Sequence, residues 1–407
     1  MTAAFLCYTG MYAVRKSFLA GQYSGVEWEG LHFKTVLVIS QVLGYMLSKF
    51  IGIKVVSELT TGRRTAALIA LVSFGLLMLL AFATAPPRLK PLALFFNGLP
   101  LGMVFGVVFS YLEGRRNTEL LAAALSATFI FSTGFVKTTG VWLLQNFGVD
   151  EFAMPFFTGL LFFPAFLGAV WMLNRAEAPN AEDVRHRSER RPMDARQRRA
   201  FLKMHGLGFA GLVVVYVLLT IIRDFRDNFI VEFWAELGYA EQPELITLTE
   251  IPVAVVVLII SGLGVLIYSN RLAFSTGMYL TMVSALGILL VTFLFSNRLI
   301  SPVGWMVGTG IGVYLPYILF HCLLFERLIA LLRFEGNVGF LFYVADALGY
   351  TGSVGILLLK ELGGFQSSWV DFFIGLNLYA ATGILLVSVS ALWLILKKHH
   401  QVAVSVP

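Results

Sequence analysis

The chain has 407 residues, 58% of them hydrophobic, 14% aromatic and 13% charged, with a formal net charge of +6. A soluble domain carries about twice that share of charge, so the composition excludes an ordinary soluble enzyme and indicates a polytopic membrane protein. The cations fall in the connections between apolar runs, where they set topology rather than grip nucleic acid.

An α-helix needs roughly 20 apolar residues to cross a hydrocarbon core of about 30 Å, and twelve such runs are predicted. The first, 2–22, carries Tyr8, Tyr12, Arg15 and Lys16; the second, 34–57, carries Tyr45 and Lys49. Spans follow at 65–85, 91–112, 120–146 (with Lys137) and 153–174. A polar interval, 175–203, holds nine Lys and Arg and reads as a surface linker. Beyond it lie 206–234 (Arg223, Arg226, Asp227), 244–268 (Glu250), 274–296, 300–325 (Tyr314, His321), 336–359 (Asp346, Tyr350) and 370–396. The organisation expected is an N-terminal six-helix bundle over 1–174, a cytoplasmic linker over 175–203 and a C-terminal six-helix bundle over 204–398. Alternating strands of a membrane β-barrel are not expected.

Lys and Arg are concentrated in the even-numbered connections and the C-terminal tail, including "TTGRR", "EGRR" and "LKKHH". By the positive-inside rule these segments and both termini face the cytoplasm, most simply across a bacterial inner membrane. Met1 stands almost inside the first span, so a short cytoplasmic lead-in is expected before it, and the first run lacks the pattern of a cleavable signal. Cys7 and Cys322 both sit in apolar segments and read as buried thiols.

Six cations remain inside spans: Arg15, Lys16, Lys49, Lys137, Arg223 and Arg226. A charge at mid-bilayer costs roughly 2.5–3.5 kcal/mol on insertion scales and usually faces a bundle interior or watery cavity. Arg15 precedes Arg63 by 48 residues and Arg223 precedes Arg271 by the same 48, which supports two parallel repeats with Arg15 and Arg223 as symmetry mates. Two guanidinium forks suit a phosphate or carboxylate. The opposing reading pairs Arg223 with Asp227, one helical turn on.

Tyr8, Tyr12 and Arg15 share a helical face, as packing or as ligands to an oxyanion. Lys49 either snorkels or enters a cavity. Glu250, Asp346 and Lys137 read equally as proton carriers and as structural partners of other buried charges. His321 titrates near neutral pH or serves as a helix-to-helix donor. The residue pattern contains no metal-ligand constellation, P-loop or nucleophile with a positioned base, so an enzyme is not expected and no cofactor is implied.

"YTGMYAVRKSF", "GYMLSKFIGIKVVSELTTGRR" and "YVLLTIIRDF" resemble the first, second and seventh spans of the organophosphate:phosphate antiporters of the major facilitator superfamily. Fainter similarity runs through "LTEIPVAVVV", "GVYLPYILFHCL" and "ALGYTGS". The resemblance implies an all-α fold of twelve transmembrane helices in two pseudo-symmetric six-helix bundles. It also implies a small anionic substrate, function as a monomer in the bilayer, and exchange of a phosphate ester for inorganic phosphate by rocker-switch motion. Arg15 and Arg223 match the phosphate-binding pair, between which the anion would be held. Lys49 matches the second-span lysine, and Tyr8, Tyr12, Tyr45, Tyr314 and Tyr350 match cavity tyrosines. Glu58, Gly62, Arg63 and Arg271 fall in the gating loops.

The departures from that pattern are Ser132 and Lys137 near the fifth-span histidine position, Leu101 and Phe105 in the fourth span, Glu58 in place of Asp, and the additional acids Asp224, Asp227 and Asp346. Asp227, Glu250, Asp346, Lys137 and His321 are therefore candidates for coupling. The alternatives are a proton-coupled carboxylate symporter, a non-transporting sensor of phosphorylated metabolites and, more weakly, a membrane-embedded transferase.

Overall fold

The computed structural model describes residues 1–57, 59–112, 118–175, 195–332, 338–363 and 367–404. The first six helices are α1 (Thr2–Lys16), α2 (Phe33–Ser57), α3 (Arg64–Thr84), α4 (Lys90–Leu112), α5 (Thr118–Phe147) and α6 (Met154–Asn174). After the linker come α7 (Ala195–Asn228), α8 (Ile230–Glu236), α9 (Glu244–Val265), α10 (Asn270–Ser296), α11 (Pro302–Leu319), α12 (Phe325–Leu331), α13 (Val338–Leu362) and α14 (Trp369–Val404). Among the described residues, ten helical stretches are long and apolar enough to cross a membrane; α1 and α5 stand at the other two expected positions. The all-α polytopic fold read from the apolar runs is the one observed, and Cys7 and Cys322 are both buried, as expected.

The departures from simple spans have local causes. The first run tightens after Lys16 into a 3-10 turn, Ser17–Ala20, that stays buried. The expected span 206–234 breaks at Phe229 (φ −119°, ψ 19°); there Lys137 donates to the Asp227 carbonyl, taking one acceptor from the helical ladder. The tenth run widens into a π turn at Phe320–Leu324, four residues after Pro316. Residues 195–203, charged and read as linker, form the first turns of α7, which suits their Arg, Gln, Lys and Ala content. Between α1 and α2 a small antiparallel hairpin pairs β1 (Glu27–Trp28) with β2 (Leu31–His32). Its tight turn uses positive φ at Glu29 and Gly30 (50° and 82°), the geometry that two-residue hairpin turns require.

Cα proximity divides the chain into two compact units. The first joins Met1–His186 to Asp227–Ile251 and Leu357–Trp369; the second joins Arg187–Arg226 to Pro252–Ile356 and Val370–Pro407. In the first unit α2 packs on α4, α1 on α6 and α5, and α3 on α4. The α2–α4 contact is close because Gly44 and Gly98 face the partner backbone: a Cβ on Gly44 would collide with the Phe95 carbonyl oxygen, and one on Gly98 with that of Gln41. Residues 357–369 are tied to this unit by Glu361, whose carboxylate accepts from the Thr35 hydroxyl at 2.7 Å and lies 2.9 Å from His32 Nδ1.

Candidate anion-binding site

In the first unit α1 presents Tyr8, Tyr12 and Arg15 on one face, and all three are buried. Tyr8 and Tyr12 meet edge to face with ring centroids 5.1 Å apart, and Tyr8 continues to Phe105 and Phe129 at 5.7 and 5.5 Å. The Arg15 guanidinium lies 3.5 Å from the Tyr45 ring centroid, and Lys49 Nζ stands 5.2 Å from the same ring. Stacking on an aromatic face covers the apolar plane of a guanidinium and fixes the direction of its N–H edge. The main chain beneath is fixed too. Gln41 Nε2 donates to the Arg15 carbonyl at 2.6 Å and to Asn97 Oδ1 at 2.8 Å, while Asn97 Nδ2 donates to the carbonyls of Val14 and Gly75. These two buried amides lock α1, α2, α3 and α4 around Arg15. Ser132, near the position where the resemblance leads one to expect histidine, is buried with its hydroxyl 2.7 Å from Thr9 Oγ1.

A second group of charges lies in the same unit. Asp227 receives Lys16 at 2.9 Å and Lys137 at 2.5 Å, and Lys16 also donates to Asn228. Lys34 pairs with Glu232 at 2.5 Å and donates to the Leu19 carbonyl. Glu250 is buried with its side chain against Gly134, whose added Cβ would approach the Glu250 Cγ to 3.0 Å. Lys137, Asp227 and Glu250 therefore belong to the first unit, with Lys137 and Asp227 joined as an ion pair.

In the second unit Arg223 lies 4.0 Å from the Tyr317 ring centroid. Its Nε and Nη2 donate to Asp224 Oδ1 at 3.0 and 2.6 Å, and Ser353 donates to the other carboxylate oxygen at 2.7 Å. The acid bound to Arg223 is thus its immediate neighbour, where the sequence alternative had named Asp227. Arg226, fully buried, donates to the Met306 carbonyl and lies 5.7 Å from the Tyr314 ring. Tyr350 is buried at 7% exposure. Asp346 accepts from Tyr216, which also approaches His321.

Of the positions that the resemblance assigns to gating loops, Gly62 and Arg63 form the 3-10 turn before α3 and are exposed, Arg271 is exposed in the first turn of α10, and Glu58 falls outside the described residues.

A known family matches residues 17–398, nearly the whole chain. The chain belongs to that family, described as Family of unknown function (DUF5690). No curated protein matches it. Among solved structures, the D-xylose–proton symporter is similar at 12% identity, with 94% of this chain and 96% of that one covered and a TM-score of 0.58. A bacterial homologue of the human lysosomal transporter Spinster, inward-facing and unoccupied, is similar at 11% identity, covering 98% and 94%, with a TM-score of 0.56. This DUF5690 member therefore has the major facilitator fold and is an integral membrane protein.

Several residues that shape these groups were not among the sequence candidates. Gln41 and Asn97 were detectable as polar residues inside apolar runs, "VISQVLG" and "LFFNGLP", a signal of intramembrane bonding. Tyr216 and Tyr317 carried no such mark, because a membrane tyrosine reads equally well as packing or interfacial anchoring.

Proposed function

We propose that this protein is a secondary active transporter that moves a small organic anion, a phosphate ester in exchange for inorganic phosphate, with Arg15 and Arg223 as its anion ligands. The observation that carries the reading is the setting of Arg15. The residue is 5% exposed, its guanidinium laid on Tyr45 with Lys49 at the same ring, and its backbone is held by the Gln41–Asn97 pair. A pre-oriented fork beside a second cation in an apolar bundle suits recognition of a doubly charged oxyanion. The major facilitator fold supplies the framework for alternating access, and the resemblance of the first, second and seventh spans supplies the phosphate class. The protein would act as a monomer in a bacterial inner membrane with both termini cytoplasmic.

The test is radiolabelled phosphate uptake into proteoliposomes loaded with phosphate or with buffer alone. Uptake that requires internal phosphate and is lost in Arg15→Ala and Arg223→Ala supports exchange. Absence of phosphate flux under both loadings refutes it, leaving carboxylate symport or sensing. Uptake untouched by either substitution removes the arginines from the site.

A further inference from the structure

The Tyr216 hydroxyl of α7 lies within hydrogen-bonding reach of three neighbours. Its oxygen lies 2.5 Å from Asp346 Oδ1, 3.3 Å from the Tyr317 hydroxyl and 3.4 Å from His321 Nε2. The other ring nitrogen, Nδ1 of His321, lies 3.0 Å from the Tyr317 carbonyl. A carbonyl only accepts, so Nδ1 carries a hydrogen. The π turn at Phe320–Leu324 sets His321 in this position, a local feature that recurs at functional sites. Tyr216 and Tyr317 are buried, whereas Asp346 and His321 are half-buried.

Counting hydrogens then allows two arrangements with the same net charge. In one, Asp346 is ionised and accepts from Tyr216, while a doubly protonated His321 donates through Nε2 to the Tyr216 oxygen. In the other, the Nε2 proton has passed to the Tyr216 oxygen and the hydroxyl's own proton has passed to Asp346. His321 is now neutral and accepts from Tyr216 at Nε2. Both satisfy every bond in the group. Removing the proton leaves an ionised Asp346 and a bare Nε2 facing the Tyr216 oxygen, which is electrostatically poorer.

We infer that Tyr216, His321 and Asp346 form a binding site for one exchangeable proton whose occupancy governs the pH dependence of transport. The inference rests on the transporter reading for its role but not for its existence. Among the described residues, the charged or titratable groups next to the site include Tyr317 and, against the Tyr317 ring, Arg223 with its partner Asp224. Arg223 lies on the Tyr317 ring.

The test is infrared difference spectroscopy on the purified full-length protein in lipid nanodiscs, titrated from about pH 4 to 9, a range that brackets carboxyl and imidazole ionisation. A carboxylic-acid carbonyl band that titrates in the natural protein, vanishes in Asp346→Asn and moves in both Tyr216→Phe and His321→Gln supports the site. A band that survives in Asp346→Asn, or no titrating band, overturns it. Phosphate uptake is then recorded against pH in the same variants. Loss of the natural pH profile in Asp346→Asn supports its role in transport, and an unchanged profile overturns that role. A titrating site in a protein that moves no phosphate sinks the exchange reading alone.

Discussion

Lys16 and Asp227, distant in sequence, form a buried ion pair at 2.9 Å, and Lys137 joins the same carboxylate at 2.5 Å. One anion thus serves two ammonium groups, both shielded from solvent. Removing the anion of a buried pair strands the cation in a low-dielectric setting, at a cost of about 3–5 kcal/mol. Asp227→Asn is therefore expected to lower the thermal midpoint of the purified protein in detergent. Asp227→Asn combined with Lys137→Met recovers part of that loss, because one stranded cation is gone. Equal melting of the single variant and the natural protein would show that the carboxylate carries no such load.

The twelve apolar runs were legible because a spanning helix needs a fixed length of apolar sequence, a constraint that acts residue by residue. What the runs conceal are features decided by distant side chains. The break at Phe229 follows from Lys137 reaching the Asp227 carbonyl, and nothing near Phe229 in sequence announces it. Arg223 illustrates the same limit at the candidate site. Helical spacing favours a partner at i+4, yet Asp227 is drawn to Lys16 and Lys137 in the first unit while Asp224 turns to Arg223 and Ser353 in the second. The arginines themselves were visible because charge inside an apolar run is costly and therefore conspicuous. Their aromatic seats, Tyr45 and Tyr317, are tertiary; only Tyr45 stood out beforehand, one turn from Lys49.

Gly44 and Gly98 carry the close approach of α2 and α4. Gly44→Ala would drive a methyl group into the Phe95 carbonyl oxygen, which belongs to rigid backbone. Separating the helices costs about 1–3 kcal/mol by the usual scale of overpacking. Gly168 on α6 is the internal control, since a Cβ there meets nothing within 4 Å. Gly168→Ala should be neutral or stabilise by up to about 1 kcal/mol through helix propensity. Thermal unfolding of both variants side by side checks the pair, and similar behaviour would refute the close-packing account.

Asp224 competes with any anion for Arg223, because its Oδ1 already occupies Nε and Nη2. Asp224→Asn keeps the shape and removes the charge. A charge-assisted hydrogen bond contributes about 1.5–3 kcal/mol, so phosphate affinity should rise roughly three- to tenfold if half of that is released to the ligand. Ser353→Ala, which removes only the bond to the other carboxylate oxygen, should produce a smaller change. Calorimetric titration of phosphate into the purified variants measures both. Weaker binding in Asp224→Asn would mean that the acid orients Arg223 for its ligand instead of competing with it.

Arg15→Lys distinguishes a planar fork from a simple positive charge. Lysine preserves the cation but gives up the stacked plane on Tyr45 and the ability to donate two parallel hydrogen bonds to one anion. Loss of one charge-assisted bond, about 1.5–3 kcal/mol, corresponds to roughly ten- to a hundredfold weaker phosphate binding at about 1.4 kcal/mol per decade. Because the Gln41 and Asn97 bonds engage main-chain carbonyls, the substitution should leave the packing of α1 and the thermal midpoint nearly unchanged. That separation makes the experiment informative. A lysine variant that melts like the natural protein but binds phosphate tenfold or more weakly assigns the deficit to the fork. One that binds phosphate equally well assigns Arg15 no more than a positive potential, and the doubly bonded oxyanion reading of the site falls with it.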